Sequence, residues 1–461
     1  MKEIIKSKKK TLDNNNDLRG FIRLLRKENS LMIIRKNVDP KFQISAIASK
    51  LDNSRAVVFE NVKHSRIRVA CNILSNRRGF SLAIGAGKRE LVHSYVIDAM
   101  KRASEPKRLF TKAPFEENSS KNLSTLPIVT HFEKDAGAYI TSSIVFAKDQ
   151  ERGNQNASTH RLLRLDDRNL AIRMVEGRHL HKCFSYSKEL GEDLKVSIVI
   201  GVHPAISIAA AYQAAYGVDE MMLANSLLHG NLTLTKNSYS QLFIPTCSEI
   251  VLDGRILKDR TVEEWMVEML RTYDLKRLQP VFELERIRFR NNAILHDILP
   301  GFAEHRLLMG LPVEAKMFEA VKNVVPTTIA VHLTEGGCNW LAAVIQIQKR
   351  LEGDPKNALL AAFASHPSLK MATVVDDDID PADPVAVEYA VCTRCQADKG
   401  LVIIPNTKGS SLDPSSDQKN LLTTKIGIDA TATLFKPRER FEIARIPGEK
   451  KTPAMKSNAT K

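Results

Sequence analysis

Residues able to do chemistry gather between positions 156 and 220. The run Asn156-Ala157-Ser158-Thr159-His160-Arg161 opens the set. Arg178 follows Arg161 by seventeen residues with His179 beside it, and Glu220, closing Gly217-Val218-Asp219-Glu220, lies forty-one residues beyond His179. An amide, an imidazole and a carboxylate can share one hard or borderline divalent ion. Arg161 beside them suits a phosphate or carboxylate held next to that ion. Taken singly, each is equally a solvated loop side chain, the usual state of Asn and Arg. His179 and His181 form an H-x-H, and on a strand both would point to one face. By itself, Glu220 reads as a charge at a helix N-terminus on a solvated face.

Holding such a set takes a scaffold. The chain has 461 residues and 43% hydrophobic content, enough for two or three domains. Helical and strand patterns both recur, which excludes an all-α or all-β chain. Asp17 to Arg26 carries apolar residues at helical spacing behind an Asp N-cap, and strands follow near 31–35, 56–60 and 67–70. This predicts an N-terminal α/β domain over 17–115. Across 116–311 strand follows strand, at 138–147, 161–165, 171–175, 196–202 and 249–252, with a small-residue helix at 205–216. A barrel-like β domain with inserted helices is the natural reading. Across 312–447 helices at 315–323, 339–351 and 356–364 alternate with strands at 327–332, 372–375 and 401–404. That predicts a third, α/β domain. Residues 1–16 and 448–461 read as basic, flexible ends.

Charge and composition narrow the class. The net charge is +15, but residues 1–10 contribute +4 and residues 449–461 contribute +3. The remaining excess can serve anionic ligands. No nucleic-acid motif accompanies it, so no nucleic-acid partner is expected. No apolar run reaches ~18 residues, and the start, MKEIIKSKKK, lacks the apolar core of a secretion signal. A cytoplasmic protein without a membrane span is expected. Six cysteines in so long a chain are no disulfide framework. Cys392 and Cys395 have C-x-x-C spacing after a strand-like run, 387–391, and read as structural thiols.

The order and spacing of the first set resemble the UbiD family of decarboxylases. Further stretches carry the likeness: Ile198 to Ala205 (IVIGVHPA), Ser248 to Gly254 (SEIVLDG), Val374 to Asp380 (VVDDDID) and Lys425 to Ala430 (KIGIDA). It runs from about residue 17 to about residue 447. The resemblance implies a central split barrel of flavin-reductase type, with Asn156, His179 and Glu220 holding a metal that bridges the phosphate of prenylated FMN. Mn²⁺ or Mg²⁺ would suit those donors, the His favouring Mn²⁺, with K⁺ as a companion ion. Ser158, Thr159, Arg161 and Arg178 would contact the cofactor, and so would Lys370. The acidic run at Asp376–Asp378 is a structural landmark of the family rather than a second metal site.

The resemblance also implies a Glu–Arg–Glu network with Arg161 at its centre. Its acids stand five residues apart, in a segment like E-G-P-F-x-E. Here the segment reads Glu263-Glu264-Trp265-Met266-Val267-Glu268, so Glu263 and Glu268 keep the spacing while Gly-Pro-Phe is replaced. Without that turn, 262–273 has a helical pattern, on which residues 263 and 268 would diverge by roughly 140°. The flavin would carry the hard chemistry on an α,β-unsaturated acid. Arg161 would bind the substrate carboxylate and tune Glu263, and Glu268 would donate the proton that replaces CO₂. Thr159-His160-Arg161, Tyr273-Asp274 and Leu278 to Val281 look most like the compact archaeal members. Those imply conversion of trans-anhydromevalonate 5-phosphate to isopentenyl phosphate. Decarboxylation of a prenylated 4-hydroxybenzoate and non-catalytic flavin binding are the other readings. A flavin prenyltransferase as cofactor supplier and a homo-oligomer complete the expectation.

Overall fold

The structure, a computed structural model, describes residues 16–87, 92–212 and 219–444. The lysine-rich ends, and Gly217 and Val218, lie outside the described residues.

Helix α1 (Leu18–Lys27) starts where its cap dictates: the Asp17 carboxylate accepts from the Gly20 amide at 2.7 Å. Strand β1 (Leu31–Val38), helix α2 (Gln43–Lys50), strands β2 (Ala56–Val62) and β3 (Arg68–Cys71), and helices α3 (Arg77–Ile84) and α4 (Val92–Lys101) follow. The sheet β1-β2-β3 is completed by Ile294–Asp297, which pairs with β3 in parallel. The first α/β layer therefore depends on residues from the end of the central segment.

Short strands β4 (Lys107–Leu109) and β5 (Asn118–Ser120) lead into the barrel. Its strands are β6 (Tyr139–Lys148), β7 (Gln155–Arg164), β8 (Asn169–Ile172) and β9 (Leu194–Ile200), with helix α5 (His179–Glu189) between the last two. Helices α6 (Pro204–Ala211) and α7 (Glu220–Leu227) and short strands β10 (Thr233–Lys236) and β11 (Phe243–Pro245) precede the long hairpin β12 (Ile250–Glu264) and β13 (Arg277–Phe289). Antiparallel pairing runs β12-β9-β6-β7-β8-β13, and β13 pairs back onto β12, closing a barrel. Leu162, Ile198, Leu252 and Phe282 are fully buried within its core.

Two of the resemblance stretches meet at one close approach. Gly201 has φ +74°, and a Cβ there would stand 2.7 Å from Glu249 Cβ and 2.8 Å from the Ile294 carbonyl. Glu249 is fully buried and accepts from Arg19 at 2.7 and 2.8 Å, from Arg290 at 3.2 Å and from the Ile294 amide at 3.1 Å. The glycine lets the barrel reach this knot, which ties it to α1.

After β14 (Ile294–Asp297), helix α8 (Ala303–Val324) runs through Pro312 and so crosses the position expected for a domain boundary. Strands β15 (Thr328–Leu333) and β16 (Ala342–Ile347), helix α9 (Asp354–Ser365), strand β17 (Met371–Val375), helix α10 (Pro384–Arg394), and strands β18 (Leu401–Lys408) and β19 (Leu422–Ala430) build the last layer. Its sheet order is β15-β16-β17-β19-β18.

Three expected elements are corrected. The helix at 339–351 is strand β16, because AAVIQI is covered on both faces, and a fully buried strand shows no alternation. The strand-like run before Cys392 lies in helix α10; Cys392 is exposed and Cys395 half-buried at its end. The helical pattern at 262–273 is the end of β12 followed by a folded loop. The acidic run after β17 is met by Arg394, which bonds Asp378 at 2.8 and 2.7 Å and also reaches Asp376.

Candidate active site

Strand β7 carries both halves of the site. At its start the Asn156 amide nitrogen donates to Ser158 Oγ at 3.0 Å, while Asn156 Oδ1 is buried with no hydrogen-bond partner among the described residues. Glu220 is the first residue of α7, where the helix dipole favours a carboxylate. Its Oε2 accepts from the Ala157 amide at 3.0 Å, and its Oε1 lies 3.7 Å from His179 Nδ1. That last separation is too long for a good hydrogen bond. His179 opens α5, not a strand, so His181 does not share its face; His181 Nδ1 instead lies near Ser185 Oγ, at 3.4 Å. Glu220 thus approaches His179 and the backbone beside Asn156, which brings together one strand and two helix N-termini. A lone amide oxygen, an imidazole and a carboxylate are a donor set that fits a divalent cation. The two helix N-termini beside it suit an anion such as a phosphate.

Of the other expected cofactor contacts, Ser158 lies under the cluster, Thr159 is exposed on β7, and Arg178 is exposed at the N-cap of α5. Lys370 is placed elsewhere. Its Nζ donates to Asp413 at 2.7 Å and to Ser415, within the last layer. Asp413 and Ser415 hold its Nζ in this structure.

At the far end of β7 Arg161 is held by three carboxylates. Its Nε donates to Glu264 Oε1 at 2.8 Å and its Nη2 to Glu264 Oε2 at 2.9 Å, a bidentate pair. Nη1 donates to Glu268, and Nη2 also reaches Asp274 at 3.3 Å. Side-chain exposure is 11% for Arg161, 1% for Glu264, 3% for Asp274 and 19% for Glu268. Burial alone would lower the pKa of the guanidinium, but the charges of Glu268 and Glu264 raise it above its usual value. Tyr139 donates to Glu264 at 2.9 Å and to the Trp265 carbonyl at 2.8 Å; burial, then the Glu264 charge, raises its phenol.

The network's first acid is therefore Glu264, not Glu263. On β12 Val262 is half-buried, Glu263 exposed and Glu264 buried, the alternation a strand imposes. Glu263 pairs across the hairpin with Leu278, itself 67% exposed. Beyond Glu264 the chain makes the irregular turn that a G-P-F would supply. The Val267 amide donates to Asp135 at 3.2 Å, the Glu268 amide to the Thr272 carbonyl at 2.8 Å, and Trp265 Nε1 to the Lys134 carbonyl at 2.9 Å. Met266, Val267 and Met269 are buried beneath this turn. Spacing arguments missed Glu264, Asp274 and Tyr139. Strand parity would have found Glu264; nothing in the sequence marks Tyr139.

Residues 22–97, 106–303 and 306–430 match, in that order, the N-terminal, Rift-related and C-terminal domains of 3-octaprenyl-4-hydroxybenzoate carboxy-lyase, the UbiD family. The chain belongs to this family. The anhydromevalonate phosphate decarboxylase of Methanocaldococcus jannaschii is 45% identical over 420 residues, 90% of this chain and 97% of that one. The UbiD-class enzyme HmfF from Pelotomaculum thermopropionicum, solved with FMN, superposes with a TM-score of 0.91 at 36% identity, covering 95% of this chain and 99% of that one. An evolved dimeric form of HmfF, solved with prFMN, gives a TM-score of 0.87 at 33% identity over the same shares. The mixed α/β fold with a closed antiparallel barrel is thus that of UbiD-class enzymes. Among the described residues no helix is long and apolar enough to cross a membrane.

Proposed function

We propose that this UbiD-family carboxy-lyase removes CO₂ from trans-anhydromevalonate 5-phosphate, leaving isopentenyl phosphate. The Glu264–Arg161–Glu268 cluster, whose arginine is on the strand that also carries Asn156, is the observation that carries the reading. Its two ends are five residues apart, roughly 17 Å along a strand. The cofactor phosphate would lie at the Asn156 end, beside the N-termini of α5 and α7. Asn156, His179 and Glu220 would hold Mn²⁺, or Mg²⁺, against that phosphate, with the N-terminus of α5 and Arg178 beside it. When bound, prenylated FMN supplies the azomethine-ylide character that lets an α,β-unsaturated acid lose CO₂.

The chain's own residues do the rest. Glu264 and Asp274 are nearly buried and fix the guanidinium of Arg161 where a substrate carboxylate can meet it. Glu268 is the most open of the three acids, and to it falls delivery of the proton to the carbon that loses CO₂. The phosphate tail of the substrate agrees with the basic body of the chain, and the printed name of the relative at 45% identity supports the same acid. A flavin prenyltransferase as cofactor supplier belongs to the proposal. So does a homo-oligomer, for which Val385, Ile403 and Phe435, 73, 64 and 87% exposed on the last layer, provide apolar surface.

The test is to co-express the chain with a flavin prenyltransferase, purify it in Mn²⁺ and add the acid. A ligand with the mass of prenylated FMN, with release of CO₂, is expected. A protein that holds the prenylated flavin yet releases no CO₂ from this acid refutes the proposal.

A further inference from the structure

Asn156, Ser158 and His160 alternate along β7 and so project from one face. His160 Nδ1 lies 2.8 Å from the carbonyl oxygen of Arg173. A carbonyl only accepts, so Nδ1 carries a proton. The ring is half-buried, and desolvation holds it down to about 4, so it is neutral near pH 7 and Nε2 is left as an acceptor. Nε2 stands 2.9 Å from Ser158 Oγ, so the hydroxyl donates to it. The single hydroxyl proton is now placed, and the Ser158 oxygen must accept its bond from Asn156, 3.0 Å away. Only the amide nitrogen of Asn156 can donate. Nδ2 must therefore face Ser158, and Oδ1 must face the opposite way, where it is buried with no partner among the described residues.

We infer that Ser158 and His160 are positioning residues that fix which atom of Asn156 is offered to the metal. This rests on the metal reading given above. The two ends of an asparagine amide have nearly the same shape, and a half-turn exchanges them. A hard cation binds the oxygen and is repelled by the NH₂. The relay makes the half-turned amide costly, since it would set two acceptors, Asn156 Oδ1 and Ser158 Oγ, against each other. Its far end is anchored in the sheet, because the Arg173 amide donates to the Arg161 carbonyl at 3.1 Å. Cofactor contact through Ser158 is thus not required to explain why a serine stands there.

The experiment is an electron paramagnetic resonance titration of Mn²⁺ into the full-length protein loaded with FMN. Ser158→Ala is expected to weaken Mn²⁺ binding about 10- to 100-fold, the usual cost of losing a group that orients a metal ligand. Ser158→Thr keeps the hydroxyl and should keep the affinity. His160→Phe keeps a half-buried ring, frees the hydroxyl proton and should lose affinity like Ser158→Ala, which guards against one variant failing to fold. The decisive arm repeats Ser158→Ala in an Asn156→Asp background. A carboxylate presents oxygen at both ends and needs no orienting, so the second substitution should change affinity within about twofold, the scatter of independent sites. Equal losses in both backgrounds would show a merely structural role and overturn the inference, as would unchanged binding in Ser158→Ala. A wild-type protein that takes up no Mn²⁺ would overturn the metal reading, and the relay with it.

Discussion

Substituting Glu264 separates the observed network from the one its spacing suggests. The Glu264 carboxylate accepts from Arg161 twice, at 2.8 and 2.9 Å, and from Tyr139 at 2.9 Å, with 1% of the side chain exposed. Glu264→Gln keeps the volume but turns one acceptor into a donor that faces a guanidinium N–H. It also leaves a buried cation with one carboxylate fewer. Breaking a buried pair in this way costs about 3–5 kcal/mol. Glu268 and Asp274 still face Arg161, so about 3 kcal/mol of stability is expected to go. Because Arg161 is then misaimed, turnover of the holo-protein should fall by roughly 10²-fold, the scale of a 1 Å misplacement. Glu263→Gln, on the exposed face of the same strand, should change stability by less than about 0.5 kcal/mol. Urea unfolding and CO₂ release measured side by side on both variants decide the matter. A near-silent Glu264→Gln with a crippled Glu263→Gln would refute the strand register and the network built on it.

Other outcomes follow from the same geometry. His179→Ala should lose Mn²⁺ and bound flavin together, because a bridge fails with its ligand; retention of both at wild-type stoichiometry, by metal analysis and absorbance, would remove His179 from the metal site. Lys370→Ala should keep its flavin, since Lys370 is paired with Asp413; loss of flavin from this variant would restore Lys370 as a phosphate contact. Burial holds His203 down to about 4, and its Nδ1 accepts from the Ala205 amide at 3.2 Å at the start of α6. A depressed pKa means stability that is full above the unfolded value, ~6.5, and is lost as pH falls towards 4, up to roughly 3 kcal/mol for this one group. Urea midpoints should therefore drop between pH 6.5 and 4, and less steeply in His203→Asn, which caps the helix without titrating; parallel slopes would show that His203 is not the group responsible.

Much of this architecture can be read from local rules. The Asp17 cap sets the start of α1 because one carboxylate and one amide decide it. The strands of the first sheet and the barrel stand where apolar runs and turn residues place them. Order along the chain also brings Glu220 towards His179 and the backbone beside Asn156, although no local rule says that α5 and α7 end beside β7. What escaped is what long-range contact decides. Ala342–Ile347 is uniformly apolar, so its period does not distinguish strand from helix. Glu263 and Glu264 differ by a single step, and pairing of β12 with β13 decides which one turns inward. Lys370 belongs to Asp413, a partner forty-three residues away that no spacing rule selects.

The most direct measurement gives the holo-protein two acids in competition, trans-anhydromevalonate 5-phosphate and a prenylated 4-hydroxybenzoate, in D₂O with Mn²⁺ present. The expected result is CO₂ matched one-to-one by isopentenyl phosphate carrying deuterium at the carbon that lost CO₂, with the aromatic acid unchanged. Turnover of the hydroxybenzoate with none of the phosphorylated acid would contradict the account.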